Sequence, residues 1–264
     1  RRQSRTIPCR RCWTTKKETV RGGRPFDKNS LYQVLTNVVY LGKVKYKDEV
    51  HEGEHEAMLV FTRMLSGPMD FTPGVLSLVG KNGMPIQTTI AKQLALYVVL
   101  YSPVQMAADL PENYEKHLKA FRFIKDVPVD WAETRVLNGE VGDYVTMARK
   151  DRHSEDWYVG AITDEQPRTL SASLGFLNEG QRYWATIYRD GKGAGYDANG
   201  HALDIGVRPV SRHEHLQMVL APGGGQAIRI STRPDRVGPR SSPKPGPGPK
   251  PKPKPEPEFD VEKP

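Results

Sequence analysis

The hydrophobic residues of this chain are most concentrated in its middle, between Thr88 and Pro103. Six apolar residues there recur at steps of three and four, which predicts an α-helix: Ile90, Ala91, Leu94, Ala95, Val98 and Tyr101. The apolar run from Leu94 to Tyr101 is unbroken, so this helix should be covered on nearly all sides. Pro103 should end it, because proline lacks an N–H donor. The run is far shorter than the roughly 18 residues of a membrane span.

After Trp131 the pattern changes from helical periodicity to short β-type runs separated by glycine-containing turns. This spacing predicts an antiparallel β-sandwich. The predicted strands are Tyr144–Arg149, Trp157–Thr163, Thr169–Leu174, Tyr183–Tyr188, Leu203–Val207, Leu216–Leu220 and Ala227–Ile230. The glycines Gly223–Gly225 are interpreted as a hairpin turn, since no Lys-Ser/Thr pair follows as in a phosphate-binding loop. Asp164 and Glu165, after a strand, are interpreted as solvated carboxylates.

The C-terminal residues 233–264 have no hydrophobic periodicity. Proline alternates with Lys, Gly and Glu from Pro243 to Pro257. Such a run forms neither a helix nor a sheet, so a disordered, extended tail is predicted here.

The net charge of +8 is confined to the two ends of the chain. Residues 1–58 carry a net charge of +6, residues 59–232 carry −1, and the remainder carries +3. Basic residues at the N-terminus suggest contact with nucleic acid. Cys9 and Cys12 have the spacing of metal ligands but lack two further ligands nearby, so no zinc site is predicted. The chain begins at Arg1 without an initiator methionine, and we interpret it as a fragment.

The basic N-terminal region carries a first family resemblance. The segment WTTKKETVRGGRPFDKNSLYQVLTNVVYLGKVKYKDEVHEGEHEA, Trp13 to Ala57, resembles the recombinase domain of large serine recombinases. It contains a predicted helix, Ser30–Asn37, and a predicted strand, Tyr40–Tyr46. The resemblance implies weak, non-specific and salt-sensitive DNA binding through phosphate contacts. The candidate residues are Arg21, Arg24, Lys28, Lys43 and Lys45, for each of which a solvated basic surface is the alternative.

The residues His51 to His55 form the sequence H-E-x-x-H of zinc peptidases, in which a helix presents both histidines to one metal. Here a glycine separates the histidines, and acidic rather than apolar residues flank them. We interpret these residues as a strand exit rather than a zinc site.

A second resemblance begins after Ala57. The segments FTRMLSGPMDFTPG, AKQLALYVVLYSPVQMAADLPENYE, FRFIKDVPVDWAETRVLNGEVGDYVTMARKD, DWYVGAITDE and LAPGGGQAIRI, between about Leu59 and Ser231, resemble glycoside hydrolase family 97. The resemblance implies a calcium-dependent α-glucosidase or α-galactosidase with a (β/α)8 barrel followed by a β-sandwich.

Together these observations predict an α+β fragment with four parts. Residues 1–58 are expected to form a small basic α+β piece, and residues 59–128 the final strands and helices of the barrel. Residues 129–232 are expected to form the antiparallel β-sandwich, with a possible role in oligomerisation, and residues 233–264 the disordered tail.

Glycoside hydrolysis needs two carboxyl groups flanking the scissile bond. The resemblance places the family's catalytic and calcium-binding glutamates upstream of Phe61, so no catalytic residue, metal ligand or Ca²⁺ site is assigned in this chain. Asp70 and Asp109 are the candidates for lining the sugar pocket. Capping or loop hydrogen bonding is the alternative role for each.

Three functional hypotheses result. The first is a truncated family 97 glycosidase, inactive alone, with an α-glycoside bound only by the full-length protein. The second is a DNA-binding remnant of a serine recombinase. The third is a β-sandwich that serves packing or oligomerisation. Exposed apolar surface along Ile90–Tyr101 is expected to recruit a second copy or another chain, and no membrane contact is expected.

Overall fold

The computed structural model describes residues 12–14, 20–22, 44–46, 49–80 and 83–234, with side chains from residue 54 onward. The predicted helix Ser30–Asn37 and the tail beyond residue 234 lie outside these ranges, as does most of the Tyr40–Tyr46 strand.

The N-terminal region contributes two short antiparallel pairs. Strand β1 (Cys12–Thr14) pairs with β2 (Val20–Gly22), and β3 (Val44–Tyr46) pairs with β4 (Glu49–His51). Helix α1 (Glu52–Phe61) begins directly after β4. The H-E-x-x-H residues therefore span a strand end and the first turn of a helix, and only His51 matches the predicted strand exit.

Residues 59–128 contain helical turns and long connections. The elements are a 3₁₀ turn (Arg63–Ser66) and three helices, α2 (Ile90–Val99), α3 (Pro111–Lys116) and α4 (Leu118–Asp126). The β-type pairing found among the described residues of this segment is a single bridge between Val79 and Pro85. The predicted barrel strands are thus not shown here, and the predicted boundary at residue 58 falls inside α1.

Eight strands follow, from residue 131 to residue 231. They are β5 (Trp131–Glu140), β6 (Tyr144–Asp151), β7 (Trp157–Thr163), β8 (Arg168–Ser173), β9 (Tyr183–Asp190), β10 (Leu203–Val210), β11 (His215–Leu220) and β12 (Gly225–Ser231). Six of them form a large antiparallel sheet in the order β10-β9-β12-β7-β6-β5, and β11 and β8 form a small sheet.

Seven of these eight strands were predicted from hydrophobic runs, with ends that differ by up to three residues. Strand β5 was missed because most of its side chains are partly or fully exposed. It lies at one edge of the large sheet, and edge strands tolerate the charged residues that hide a strand from pattern analysis.

The connection through Gly223–Gly225 is not a hairpin. Strand β11 pairs with β8, whereas β12 pairs with β7 and β9. The chain therefore crosses from the small sheet to the large one at this turn. Gly223 has φ +61°, a conformation that glycine adopts without steric cost.

The large sheet is covered on both faces, by different elements. On one face α1, α2 and α4 pack against it and form a hydrophobic cluster that includes Leu94, Tyr97 and Phe123 from the helices. Tyr158, Ile162 and Tyr188 supply the sheet side of the same cluster. On the other face the small sheet builds a second cluster.

Every residue of α2 is buried, so the expected exposed apolar surface along Ile90–Tyr101 is wrong. The sheet of the same chain covers this helix. Gly160 of β7 permits the close approach, because a Cβ there would lie 2.8 Å from the Ala95 carbonyl oxygen and 2.9 Å from the Val98 Cβ.

Candidate functional site

A buried polar arrangement lies at the junction between α2 and the large sheet, which we call the helix–sheet junction. It comprises Glu56, Thr89, Lys92, Arg149 and Asp190. Thr89 and Lys92 lie at the start of α2, and Glu56 lies on α1. Arg149 lies on β6 and Asp190 on β9.

At its N-terminus α2 is capped by Thr89, whose side-chain oxygen accepts a hydrogen bond from the Lys92 N–H at 3.2 Å. The Thr89 hydroxyl donates in turn to Asp190 Oδ1 at 2.6 Å. The other carboxylate oxygen of Asp190 accepts from the Ala221 and Gly225 N–H groups at 2.9 and 3.0 Å. Asp190 thus joins β9, the turn between β11 and β12, and the start of the helix.

Burial raises the pKa of Asp190, while the hydrogen bonds from Thr89, Ala221 and Gly225 and the charge of Lys92 act in the opposite direction. A negative charge at this position also complements the helix dipole, which is positive at the N-terminus. Both carboxylate oxygens of Asp190 accept hydrogen bonds from groups of the same chain. Asp190 therefore stabilises the fold and presents no free carboxylate to a ligand.

Lys92 has a fully buried side chain, although it lies in the most apolar helix of the protein. Its Nζ forms an ion pair with Glu56 Oε2 at 2.9 Å and donates to the Thr163 carbonyl oxygen at 3.1 Å. A buried ammonium needs such partners, because desolvation of an unpaired charge is costly. The pair therefore fixes α1, α2 and the end of β7 to one another.

The C-terminus of α2 is held by Arg149 of β6. Its guanidinium donates to the Val98 carbonyl oxygen at 2.6 Å and to the Thr134 hydroxyl at 2.7 Å. It also lies over the Tyr101 ring, 5.3 Å from the centroid. Burial lowers the pKa of Arg149 to about 10, so the side chain stays charged at neutral pH and complements the negative end of the helix dipole.

None of the residues of this junction was a candidate predicted from the sequence. A weak signal was present, because Lys92 and Gln93 interrupt an otherwise apolar helix. A charged residue inside such a helix indicates a buried partner, but nothing in the local sequence identifies Glu56, Asp190 or Arg149 as that partner.

The carboxylate of Asp109 is held by hydrogen bonds from other residues of the chain. Its carboxylate accepts from the Ser77 and Leu110 N–H groups at 2.6 and 2.8 Å and from the Asn113 amide at 2.7 Å. Burial acts to raise the pKa of Asp109, but these hydrogen bonds outweigh it and hold the pKa below its usual value. The geometry matches the alternative role of loop hydrogen bonding.

Asp70 lies after the 3₁₀ turn and its side chain is exposed. Within the described ranges no hydrogen bond or ion pair joins its carboxylate to another residue, and it does not line the cavity beside β9 and β10. Its assignment as a pocket residue stays a prediction.

The DNA-contact candidates fall mostly outside the described residues. Arg21 belongs to β2 and Lys45 to β3, while Arg24, Lys28 and Lys43 lie in undescribed stretches. The structure therefore does not test whether these five side chains form one basic surface.

Two further residues have environments that differ from those predicted from the sequence. His55 of the H-E-x-x-H sequence is 2% exposed, and neither ring nitrogen has a hydrogen-bond partner. Its pKa is lowered by burial. Asp164, expected to be solvated, is 6% exposed and forms an ion pair with Arg168 while accepting from the Gln166 N–H at 2.8 Å.

Calcium does not fit the residues that the structure describes. Calcium takes six to eight oxygen ligands, several of them carboxylates. No group of three or more His, Cys, Asp or Glu side chains within the described ranges could hold a metal ion, and we derive no step that involves one. Among the described residues, every helix is too short or too polar to span a bilayer.

The fold is a β-sandwich whose large sheet is covered on one face by helices. Polar contacts with the sheet hold both ends of one of these helices, α2. Residues 130–231 match the family model described as glycosyl-hydrolase 97 C-terminal, oligomerisation. The matched range coincides with the eight strands β5–β12. This part of the chain is therefore similar to the C-terminal domain of family 97 glycosyl hydrolases.

Relatives named as glycosidases match a larger part of the chain. The retaining α-galactosidase of Bacteroides thetaiotaomicron is 37% identical over 218 residues, which cover 78% of this chain and 32% of that protein. A probable retaining α-galactosidase of Streptomyces bingchenggensis is 33% identical over 189 residues, covering 71% of this chain and 27% of that protein. The chain thus spans about a third or less of the length of these relatives.

Solved structures agree with these matches. A glycoside hydrolase family 97 enzyme in complex with acarbose, from Pseudoalteromonas sp. strain K8, has 53% sequence identity and a TM-score of 0.65, covering 68% of this chain and 28% of that one. A β-arabinopyranosidase has 28% identity and a TM-score of 0.58, covering 67% of this chain and 27% of that one. These matches concern glycosidases and do not bear on the recombinase resemblance of Trp13–Ala57, which stays a prediction.

Proposed function

We propose that this chain supplies the non-catalytic C-terminal part of a family 97 α-glycosidase and that its role is packing and oligomerisation. The observation that carries the proposal is the match of residues 130–231 to a domain described as serving oligomerisation. The α-galactosidase relatives and the acarbose complex support an α-glycoside as the substrate of the whole enzyme.

The helical segment before the sandwich supports a second contact, with a catalytic domain. Seven of the eleven large hydrophobic residues that are exposed in the described ranges lie in this segment: Leu65, Val79, Met84, Val104, Met106, Leu110 and Leu118. Contiguous exposed apolar patches mark contact surfaces, and we infer that these side chains lie against the catalytic domain in the whole enzyme. Because polar contacts hold both ends of α2 to the sheet, a catalytic domain that binds this segment would be held in a fixed position relative to the sandwich.

The chain alone is expected to lack hydrolytic activity. Glycoside hydrolysis needs an acid and a base or nucleophile at a defined separation across the scissile bond. Asp109 is engaged by three hydrogen-bond donors, and the family resemblance assigns no catalytic carboxylate to this chain.

The test of this proposal is the oligomeric state of the purified chain, measured by sedimentation equilibrium over a wide concentration range. We expect a dimer or higher oligomer, and a monomer at every concentration would contradict the proposal.

A parallel assay with aryl α-glucoside and aryl α-galactoside, with and without calcium, should show no turnover. Turnover that disappears in Asp70→Asn or Asp109→Asn would show that the chain has catalytic carboxylates of its own.

A further inference from the structure

The two sheets of the sandwich are unequal, because six strands face only two. Most of β9 is buried, but its Arg189 end is exposed and most of β10 is only partly buried. A cavity of about 190 Å³ lies at this place, which we call the open side. Its lining comes from four strands: Ile187, Arg189, Gly206, Val207, Arg208, Leu216, Gln217 and Gln226.

Two strands that border the open side have a free edge. Strand β10 is at the end of the large sheet and pairs only with β9, and β11 pairs only with β8, among the described strands. A free edge presents unpaired backbone N–H and C=O groups, which favour contact with another chain unless they are blocked.

Gln226 supplies an independent observation. Its side chain is 2% exposed and lines the cavity, yet none of the described residues forms a hydrogen bond with its amide. The amide atoms are not among the enclosed, unpartnered polar atoms of the described residues, so they face the cavity and are available to a docked chain.

The rest of the open side has the composition of a protein interface. Gly206 lies on the large sheet, and a Cβ built there would meet no atom within 4 Å. Two ion pairs lie along the cavity, Arg189 with Asp204 and Arg208 with Glu214, at 2.5 and 2.7 Å. Apolar side chains of Ile187 and Leu216 contribute to the lining. An apolar floor with a charged rim is the usual anatomy of an interface between proteins.

We propose that the open side is the surface on which a second copy of this chain docks. This inference rests on the proposed function, since the matched domain is described as serving oligomerisation. A small ligand is the less suitable occupant, because pockets for such ligands usually enclose about 300–1,000 Å³. A second copy supplies the polar groups that the Gln226 amide lacks, in the symmetric arrangement that most homo-oligomers adopt.

The decisive variant is Gly206→Trp, because a Cβ at this position meets no atom within 4 Å and the indole would occupy the open side. Sedimentation equilibrium should show that its dissociation constant is raised by about tenfold or more, with an unchanged melting temperature. The matched control is Val136→Trp, on β5 at the opposite edge of the large sheet, where the side chain is 55% exposed. The control should associate like the unmodified chain.

A second variant, Gln226→Leu, keeps the inference testable if Gly206→Trp fails to fold. It removes the unpartnered amide at nearly constant volume, and it should weaken association while leaving the monomer folded. An oligomer that neither variant weakens would overturn the open side as the docking surface and leave the proposed function intact. A chain that is monomeric at all concentrations would contradict both.

Discussion

At the scale of single residues, this protein depends on a few buried polar groups whose partners lie far away in the sequence. Thr89 and Asp190 are 101 positions apart, and Lys92 is bonded to the carbonyl of Thr163, 71 positions away. Both of these groups are matched by partners of the opposite type. Several other buried polar atoms in the described ranges lack a partner, among them both ring nitrogens of His55.

Replacement of Asp190 tests the clamp at the start of α2. Asp190→Ala leaves the Thr89 hydroxyl and two backbone N–H groups without acceptors, and each buried orphan costs about 1–3 kcal/mol. We therefore expect a loss of about 3 kcal/mol or more in the free energy of unfolding, measured by urea denaturation. Asp190→Asn keeps one acceptor oxygen and should cost clearly less. Equal losses in the two variants would show that these hydrogen bonds contribute little.

His55 predicts a dependence of stability on pH. Its pKa is lowered by burial in the folded chain, and it is about 6.5 in the unfolded chain. As the pH falls below about 6.5, the unfolded chain takes up a proton that the folded chain refuses, so stability decreases. His55→Leu should be about 1 kcal/mol more stable at neutral pH, because it removes an unpaired polar group.

The measurement is the melting temperature between pH 5 and pH 8 for the unmodified chain and for His55→Leu. The variant should show a smaller decrease toward acid pH. It should keep some decrease, because burial and the charge of His201 also lower the pKa of His117. Two parallel curves would mean that His55 does not titrate in the folded chain as burial predicts.

At the scale of elements, the feature that organises the fold is the contact of α2 with β7 and β12. Small residues on the strands let the helix backbone approach closely, and Gly160 and Gly225 lie directly beneath it. Charged side chains then hold the two helix ends. Close approach and complementary charge together explain why a helix with a buried lysine is stable in an apolar setting.

Glycine substitution measures this contact. In Gly160→Ala the new Cβ would meet the Ala95 carbonyl oxygen at 2.8 Å, so the helix must shift, at a cost of about 1–3 kcal/mol typical of overpacking. Gly206→Ala is the matched control, because it places the same methyl group on another strand of the same sheet in open space. Thermal unfolding should separate the two variants, and similar melting temperatures would contradict the packing argument.

At the scale of the whole molecule, the helical segment and the sandwich form one folding unit. One hydrophobic cluster runs from Val60 through α2 and Phe123 to Tyr158 and Ala227, and so crosses the predicted boundary near residue 128. Arg229 of β12 adds an ion pair to Asp126 of α4 at 3.3 Å. The range matched by the family model therefore begins, at residue 130, inside a continuous hydrophobic core.

A chain reduced to residues 130–231 should consequently lose cooperative folding. It would expose the sheet face that α2 covers, including Ile162, Tyr188 and Ala227, which are at most 8% exposed in the intact chain. We expect a broad thermal transition and binding of a hydrophobic dye, compared with a sharp transition for residues 49–234. A sharp transition in the shorter chain would show that the sandwich folds independently of the helices.

The sequence by itself determined the secondary structure of the central part of this protein. The position of α2 and seven of the eight sandwich strands were predicted, because hydrophobic periodicity is a local signal that burial imposes on each element. The motifs also indicated the glycosidase resemblance and a role in oligomerisation, and the comparisons support both in outline.

The tertiary structure alone decided what covers the apolar helix and what the acidic residues do. The exposed surface predicted along Ile90–Tyr101 is instead the centre of the core, since strands from distant parts of the sequence pack on it. Asp109 and Asp190 look alike in the sequence, yet each is bound by donors that only the fold brings near. Burial and hydrogen-bond partnership are properties of spatial neighbours, and the local sequence does not specify those neighbours.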